Sequence, residues 1–129
     1  MLLRLPCGDA PVSFIDARDI AELAAVTLWR PGHGGRAYDL YGPESPNYGQ
    51  ATAAVARAFS LSARYEDVPE ASYRAQIGTS ASAERVLNLY RYYRSGAAAG
   101  PAIDLVPLLG RPAHTLADFG TAYRSTFAG

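Results

Sequence analysis

The chain has 129 residues, of which 49% are hydrophobic and 19% are charged. This composition is typical of one folded domain, residues 1–129, with a buried core, and it excludes a chain that is disordered throughout. Twelve basic and twelve acidic residues give a formal charge of zero. This balance excludes the electrostatic footprint of a protein that binds nucleic acid or an anionic membrane surface.

The reactive residue types are few. All twelve basic residues are arginines, so no lysine in this sequence can form a Schiff base or a Tyr-x-x-x-Lys pair. One cysteine, Cys7, and two histidines, His33 and His114, do not make a zinc framework, and we predict no metal site. No segment approaches the roughly 18 apolar residues of a membrane span. We therefore expect a cytoplasmic protein with no membrane or nucleic-acid partner.

The first half of the chain alternates between predicted strands and helices. Residues 12–15 read as a strand, and a helix follows that opens at Asp16 to Asp19 and ends before Pro31. Residues 36–41 alternate in polarity and predict a second strand. Asn47, with Gln three residues later, resembles a capping box and predicts the start of a second helix.

The second half is mainly helical. A third strand is predicted over residues 63–68, and Pro69 suits the first turn of a helix that runs to Ile77. Residues 83–94 predict a longer helix. Asp104 is expected to cap a short helix over 105–109, which Gly110 can close, and Thr115 is expected to cap a last helix. That last helix carries Leu116, Phe119, Tyr123 and Phe127 on one side.

The order of these elements predicts an α/β fold. Strands that alternate with helices indicate a mainly parallel sheet with helical cover. Three short strands make a poor parallel sheet, because such strands are normally buried on both faces and paired at their edges. We therefore interpret the chain as part of an α/β fold whose main sheet is not contained in these residues.

Four segments, in order, resemble one family. They are Pro11-Val-Ser-Phe-Ile-Asp-Ala-Arg-Asp-Ile-Ala, Gly35-Arg-Ala-Tyr-Asp-Leu-Tyr-Gly-Pro-Glu, Val68-Pro-Glu-Ala-Ser-Tyr-Arg and Leu109-Gly-Arg-Pro-Ala-His-Thr-Leu-Ala-Asp-Phe. Their pattern resembles that of the NmrA-like group of atypical short-chain dehydrogenase/reductases. The resemblance implies the C-terminal part of a Rossmann-like fold: about three short strands plus helices that form the small substrate-side lobe, with the N-terminal dinucleotide-binding half missing.

The resemblance also implies a cofactor. A parent protein of this group is expected to use NAD(P)H and to pass hydride to a quinone-like or other carbonyl acceptor. The glycine cluster at residues 32–35 follows a helix and precedes a predicted strand, which is the reverse of the order in a pyrophosphate-binding loop. We therefore expect no cofactor-binding residue in this chain, and no dinucleotide binding or turnover by the isolated chain.

Tyr90, Tyr93 and Arg94 are the candidate substrate-pocket residues. They share one face of the predicted helix over residues 83–94, and the resemblance places this region in the substrate lobe. Phenol hydroxyls and a guanidinium could line an aromatic pocket there. The alternative is an amphipathic helix whose tyrosines pack on the main domain.

The remaining candidates have structural interpretations. Asp16 and Asp19 suit helix capping more than a role as general base or ribose contact, and Asn47 and Thr115 are also expected to be caps. His33 and His114 fall in predicted loops, so we assign no catalytic residue. Arg111 is expected to bond to carbonyl groups at a helix end, and Cys7 is expected to be inert.

Two alternatives to the oxidoreductase hypothesis stay open at this point. The resemblance also allows a regulatory protein that senses a dinucleotide and binds a protein partner. A truncated, non-enzymatic product is the second alternative. For the truncated product, uncovered apolar strand faces predict self-association, or docking with a dinucleotide-binding half.

Overall fold

Two short parallel strands form the sheet in the computed structural model, which describes residues 1–100 and 105–127. Strand β1 spans Leu2–Leu5 and strand β2 spans Arg64–Asp67. In their register Leu2 lies opposite Arg64, and Leu5 lies opposite Asp67. The sheet therefore joins the beginning of the chain to its middle, across a long helical connection, as parallel pairing requires.

Seven helices accompany this sheet in the described residues. They are α1 (Ala17–Trp29), α2 (Tyr48–Ala58), α3 (Glu70–Ile77), α4 (Ala81–Arg94), α5 (Val106–Leu109), α6 (Leu116–Ala122) and α7 (Arg124–Phe127). Helix α2 packs against both β2 and α6, and α1 packs against α5. None of these helices combines the length and apolarity that a bilayer crossing would require.

Several predicted boundaries are confirmed. Helix α3 begins after Pro69 and ends at Gly78, and Gly110 closes α5 in the left-handed region with a φ of 73°. The expected cap at Asp104 lies outside the described residues. The single last helix is corrected to two, because Tyr123 leaves helical geometry after α6 and α7 begins at the next residue.

The predictions of strands over residues 12–15 and 36–41 are wrong. Both segments lack strand structure, although Gly42 donates a hydrogen bond from its backbone N–H to Ser13 Oγ at 2.8 Å. The Val12 and Ser13 amides donate to the carbonyl groups of Pro46 and Ala98, which lie in loops. These amides therefore find their partners without a neighbouring strand, and no regular ladder forms.

The core lies between α1 and the segment that follows α5. Leu23, Leu105 and Leu109 are buried and form one cluster. Partly buried side chains complete it: Ile15, Leu40, Leu108 and Ala113. This cluster holds the C-terminal segment against α1, which positions the polar groups described below.

Helix α6 lies so close to α2 at Gly120 that the contact leaves no room for a larger side chain. A Cβ added at Gly120 would lie 2.0 Å from Ala58 Cβ. Gly120→Ala should therefore push the helices apart and lower the free energy of unfolding by about 1–3 kcal/mol, despite the better helix propensity of alanine. Urea unfolding followed by circular dichroism measures this. Gly34→Ala is the matched control, because its Cβ meets nothing within 4 Å, and an equal effect of the two substitutions would contradict the prediction.

Candidate functional site

Three helices begin at capping side chains that the sequence predicted as caps. Asp16 is the N-cap of α1, and its Oδ1 accepts a hydrogen bond from the Arg18 backbone N–H at 2.8 Å. Asn47 caps α2 in a reciprocal box with Gln50, and Thr115 caps α6 in a box with Asp118. Two of these helix starts, those of α1 and α6, lie at the same cleft.

This first cleft has a volume of about 290 Å³ and lies between the start of α1, helix α2 and the start of α6. Its lining is mainly apolar, with rings from two segments of the chain. The lining residues are Phe14, Ile15, Asp16, Ala17, Val55, His114, Thr115, Leu116 and Phe119. A cleft of this size and polarity suits part of a small organic molecule.

Asp19 is not a helix cap, which corrects the prediction for this residue. Its side chain is 0% exposed, and its Oδ2 accepts from the His114 backbone N–H at 2.7 Å. Its Oδ1 accepts from Arg111 Nη2 at 2.8 Å and lies 2.6 Å from His114 Nδ1. Asp16 already occupies the N-cap, so the Asp19 carboxylate is free to tie α1 to residues 111–114.

These donors stabilise the negative charge of the Asp19 carboxylate. Burial alone would raise the pKa of the carboxyl, but the His114 amide, the Arg111 guanidinium and the His114 ring outweigh it and hold the pKa below its usual value. Arg111 also pairs with Glu22 on the exposed side of α1. Arg111 does donate to a carbonyl, that of Pro112, as well as to these carboxylates.

The contacts of His114 fix its tautomer. Two groups face Nδ1: Asp19 Oδ1 at 2.6 Å and Arg111 Nη1 at 3.3 Å. The shorter contact favours a hydrogen on Nδ1, because two acceptors would repel each other at that distance. The neutral ring therefore has its acceptor at Nε2. Nε2 has no hydrogen-bond partner among residues 1–100 and 105–127, and the side chain is 28% exposed at the wall of the first cleft. No local pattern indicates this role for His114, since its partner on α1 is 95 residues away.

A second cleft of about 260 Å³ adjoins the first. The two share Phe14, Val55 and Leu116, and the second extends over β1 and α2. Its other lining residues are Met1, Leu3, Tyr48, Ala51, Thr52, Ala56, Leu61 and Ala63. Nearly all of this lining is apolar, so the second cleft is an uncovered hydrophobic surface of the kind that marks an interaction site.

Arg94, a predicted pocket residue, makes contacts at the end of the sheet. Its guanidinium pairs with Asp67 and donates to the Pro6 carbonyl at 3.2 Å. Gly8 packs on the same side chain, and its amide donates to Asp67 Oδ1 at 2.9 Å. Burial opposes ionisation of Asp67, but Arg94 and the Gly8 amide hold its pKa below the usual value.

The two predicted pocket tyrosines pack against other rings. Tyr90 lies edge-on to Tyr73, with ring centroids 5.4 Å apart and hydroxyls 3.4 Å apart. The ring centroids of Tyr93 and Tyr48 are 6.0 Å apart. Burial raises the pKa of Tyr90 above its ordinary value. Other residues line the two clefts described above, so a pocket formed by Tyr90, Tyr93 and Arg94 stays a prediction.

Cys7 and His33 lie outside both clefts. The Cys7 side chain is buried, and burial raises its pKa to about 11, which leaves little thiolate at neutral pH. His33 Nδ1 lies 2.7 Å from the Tyr38 hydroxyl in the loop after α1. Among the described residues, no group of three or more His, Cys, Asp or Glu side chains is arranged to hold a metal ion.

The fold has counterparts among solved structures. The small parallel sheet with several helices matches the C-terminal part of a Rossmann-like fold. The NADPH-dependent quinone oxidoreductase from Escherichia coli superposes with a TM-score of 0.77 and 21% identity, over 94% of this chain and 46% of that protein. At this identity the likeness shows the fold alone.

Sequence comparison identifies particular relatives. The chain is 35% identical to the NAD(P)H azoreductase of Xenophilus azovorans, over 95% of this chain and 44% of that protein. It is 32% identical to the (4-alkanoyl-5-oxo-2,5-dihydrofuran-3-yl)methyl phosphate reductase of Streptomyces griseus, over 98% of this chain and 46% of that protein. These two relatives are named as reductases, and the structural neighbours also include a nucleoside-diphosphate-sugar epimerase from Staphylococcus aureus, with a TM-score of 0.81 and 21% identity. The chain thus spans less than half the length of these relatives, and no protein-family profile matches it.

Proposed function

We propose that this chain forms the acceptor-side lobe of an NAD(P)H-dependent oxidoreductase that reduces a quinone-like or other carbonyl acceptor. The observation that carries the proposal is the similarity, over nearly the whole chain, to two proteins named as reductases. The same similarity is the reason to place this function before the regulatory alternative. The first cleft supports the proposal, because a mainly apolar cleft of about 290 Å³ suits part of a small organic acceptor.

The described residues do not fit a dinucleotide. A pyrophosphate loop needs glycines between a strand and the N-terminus of the next helix. Here Gly8, which follows β1, is packed on the Arg94 side chain, and α1 begins only at Ala17. The glycines at residues 32–35 follow α1 and precede no helix until α2. We therefore infer that nucleotide binding in the active protein depends on residues other than these.

The second cleft is the proposed docking surface for that nucleotide-binding portion. Parallel strands are normally covered on both faces and continued at their edges. The second cleft leaves β1 and α2 uncovered by the described residues, and the reductase relatives are more than twice as long as the aligned region. A dinucleotide-binding half is therefore the occupant we favour over a second copy of the chain.

A fusion tests this function. The chain replaces its aligned segment in the Xenophilus azovorans azoreductase, and NADPH oxidation is followed with menadione or an azo dye as acceptor. We expect turnover by the fusion, none by the chain alone, and no saturable binding of micromolar NADPH by the chain alone. The intact azoreductase is the positive control. A fusion that folds and binds NADPH without reducing any acceptor would contradict the proposal.

A separate measurement tests whether the second cleft is the docking surface. A hydrophobic dye that fluoresces on apolar surfaces should bind the chain alone more strongly than the fusion, because the second cleft is covered only in the fusion. Sedimentation shows whether a second copy covers it instead. A stable dimer of the chain alone that binds no dye would overturn the choice of a dinucleotide-binding half as the occupant.

A further inference from the structure

Helix α3 is weakly anchored to the rest of the fold. Of the helices of eight or more residues that the structure describes, α3 is the one without a buried side chain, and it packs mainly against α4. At its start, Pro69 offers no side-chain hydrogen bond to the first amides. At its end, Gly78 has a φ of 79° and open space around it, and a link of three residues leads to α4.

An ion-pair clasp, formed by Glu70 and Arg74 on α3 and by Glu84 and Arg91 on α4, holds the two helices together. Arg91 donates to both carboxylate oxygens of Glu70, with Nε 2.8 Å from Oε2, and its Nη1 lies 2.9 Å from Glu84 Oε1. Arg74 donates to Glu84 Oε2 at 2.8 Å and to Glu70 Oε1 at 3.4 Å. Each arginine therefore bridges both glutamates, which closes the four side chains into a ring of charges.

The ion-pair clasp is in contact with water. The side chains of its four members are 33–44% exposed. Salt weakens ion pairs of this kind, because mobile ions screen charges that the solvent reaches. The attachment of α3 to α4 therefore depends on ionic strength, in contrast to the apolar contacts that hold α2 against α6.

Little apolar packing supports the ion-pair clasp. The partly buried Tyr90 on α4 lies edge-on to Tyr73 on α3, with ring centroids 5.4 Å apart. Beyond this pair, Ile77 and Val86 line a groove of about 250 Å³, so side chains do not fill the space between the helices there. Detachment of α3 therefore exposes only a small apolar area, and the charges provide most of the contact that must be broken.

From these observations we propose that α3 is a flap, hinged at Pro69 and Gly78, which the ion-pair clasp holds closed over Tyr90. When the clasp opens, α3 leaves α4 and the Tyr90 ring becomes accessible to small molecules. The inference goes beyond the proposed function, because it concerns a motion of this chain by itself. It stands or falls independently of whether the fusion with the azoreductase reduces an acceptor.

Hydrogen–deuterium exchange of the full chain, followed by mass spectrometry, tests the flap. A helix of eight residues is marginal in water, so the α3 amides exchange once α3 detaches. Arg91→Gln removes the pairs to both glutamates and should speed exchange in α3 by about twofold to fivefold at low salt, with no change in α2. Arg85→Gln is the matched control and should match the parent chain, because Arg85 is an exposed α4 arginine that has no ion pair within the described part of the chain.

Ionic strength provides a second measurement on the same proteins. Raising the NaCl concentration from about 0.1 M to 1 M shortens the screening length from about 10 Å to about 3 Å. Exchange in α3 should therefore become faster with salt in the parent chain and in Arg85→Gln, and should respond less in Arg91→Gln. A salt response of α3 that is the same in Arg91→Gln as in the parent chain contradicts the proposed role of the ion-pair clasp.

The exposure of Tyr90 distinguishes an opening flap from fraying within α3. Acetylation of tyrosine hydroxyls by N-acetylimidazole, located by mass spectrometry, should be faster at Tyr90 in Arg91→Gln than in the parent chain. It should be unchanged at Tyr48, which packs among the rings of Phe14, Tyr65 and Tyr93. Unaltered exchange in α3, unaltered acetylation of Tyr90, or an equal gain of exchange in α2 would each overturn the proposal.

Discussion

Asp19→Asn is expected to lower the free energy of unfolding by roughly 1.5–3 kcal/mol, the range for hydrogen bonds to a charged group, because Asp19 is buried whereas its partners Arg111 and His114 are 33% and 28% exposed. The carboxylate is 0% exposed and accepts from His114 and Arg111. An asparagine side chain would place its own N–H group against one of these donors. Urea unfolding at neutral pH measures the loss, and Asp9→Asn, at an exposed position, is the matched control.

The comparison of the parent chain with Asp19→Asn also predicts how stability depends on pH. The Asp19 pKa is lower in the folded chain than in the unfolded chain, where it is about 3.9. Its contribution to stability is therefore fully present above about pH 4 and is lost as the pH falls through the lower, folded pKa. The asparagine variant does not titrate at this position. The difference in unfolding free energy should be constant between neutral pH and about pH 5, and should shrink below pH 4.

A constant difference down to the acid limit would show that Asp19 does not act through its charge. Other carboxylates with lowered pKa values, such as Asp16 and Asp67, also lose their contributions in acid. They do so equally in both proteins, so the comparison isolates Asp19. The Asp9→Asn control should be about as stable as the parent chain at neutral pH.

Local signals in the sequence were sufficient for most helix starts and ends, although the break between α6 and α7 was not predicted. Capping boxes at Asn47 and Thr115, Pro69 before α3 and Gly110 after α5 act within one turn of the chain, and each lies at the predicted helix boundary. The α/β class also follows from sequence, because it depends on the order of the elements. These features need no knowledge of distant contacts.

Local sequence signals were not sufficient to predict the strands. Residues 12–15 are rich in β-formers, yet their amides bond to loops, whereas Leu2–Leu5 form β1 because Arg64–Asp67 lie beside them. A strand is defined by a partner that is distant in sequence, so β-propensity alone cannot decide which of two apolar segments pairs.

Contacts in the candidate site were likewise predictable only where the partner lies nearby in the sequence. The Asp16 cap was visible in the sequence because its partner, Arg18, is two residues away. The link between Asp19 and His114 spans 95 residues, and it turns an expected cap and an expected surface histidine into one buried contact. The predicted trio Tyr90, Tyr93 and Arg94 shares a helix face, but their partners on other elements, not their spacing, determine what they contact.

Leu23→Ala is the second substitution with a large expected effect. Leu23 is 3% exposed and belongs to the cluster with Leu105 and Leu109, so its truncation leaves a cavity between α1 and α5. We expect a loss of about 2–5 kcal/mol in the free energy of unfolding. Leu28→Ala on the same helix is the matched control, because Leu28 is 85% exposed and its truncation should change stability by less than about 0.5 kcal/mol.

The consequence of Leu23→Ala should extend to the first cleft. Leu109 lies two residues before Arg111, so a loosened α5 weakens the hold of Arg111 on Asp19 and allows the His114 ring to reorient. The variant should therefore shift the His114 ring signals in NMR spectra away from their positions in the parent chain, whereas Leu28→Ala should leave them unchanged. Spectra of both variants, recorded under conditions in which circular dichroism shows each to be folded, measure this coupling. Unaltered His114 signals in a destabilised Leu23→Ala chain would show that the α1–α5 core supports the fold without positioning the site.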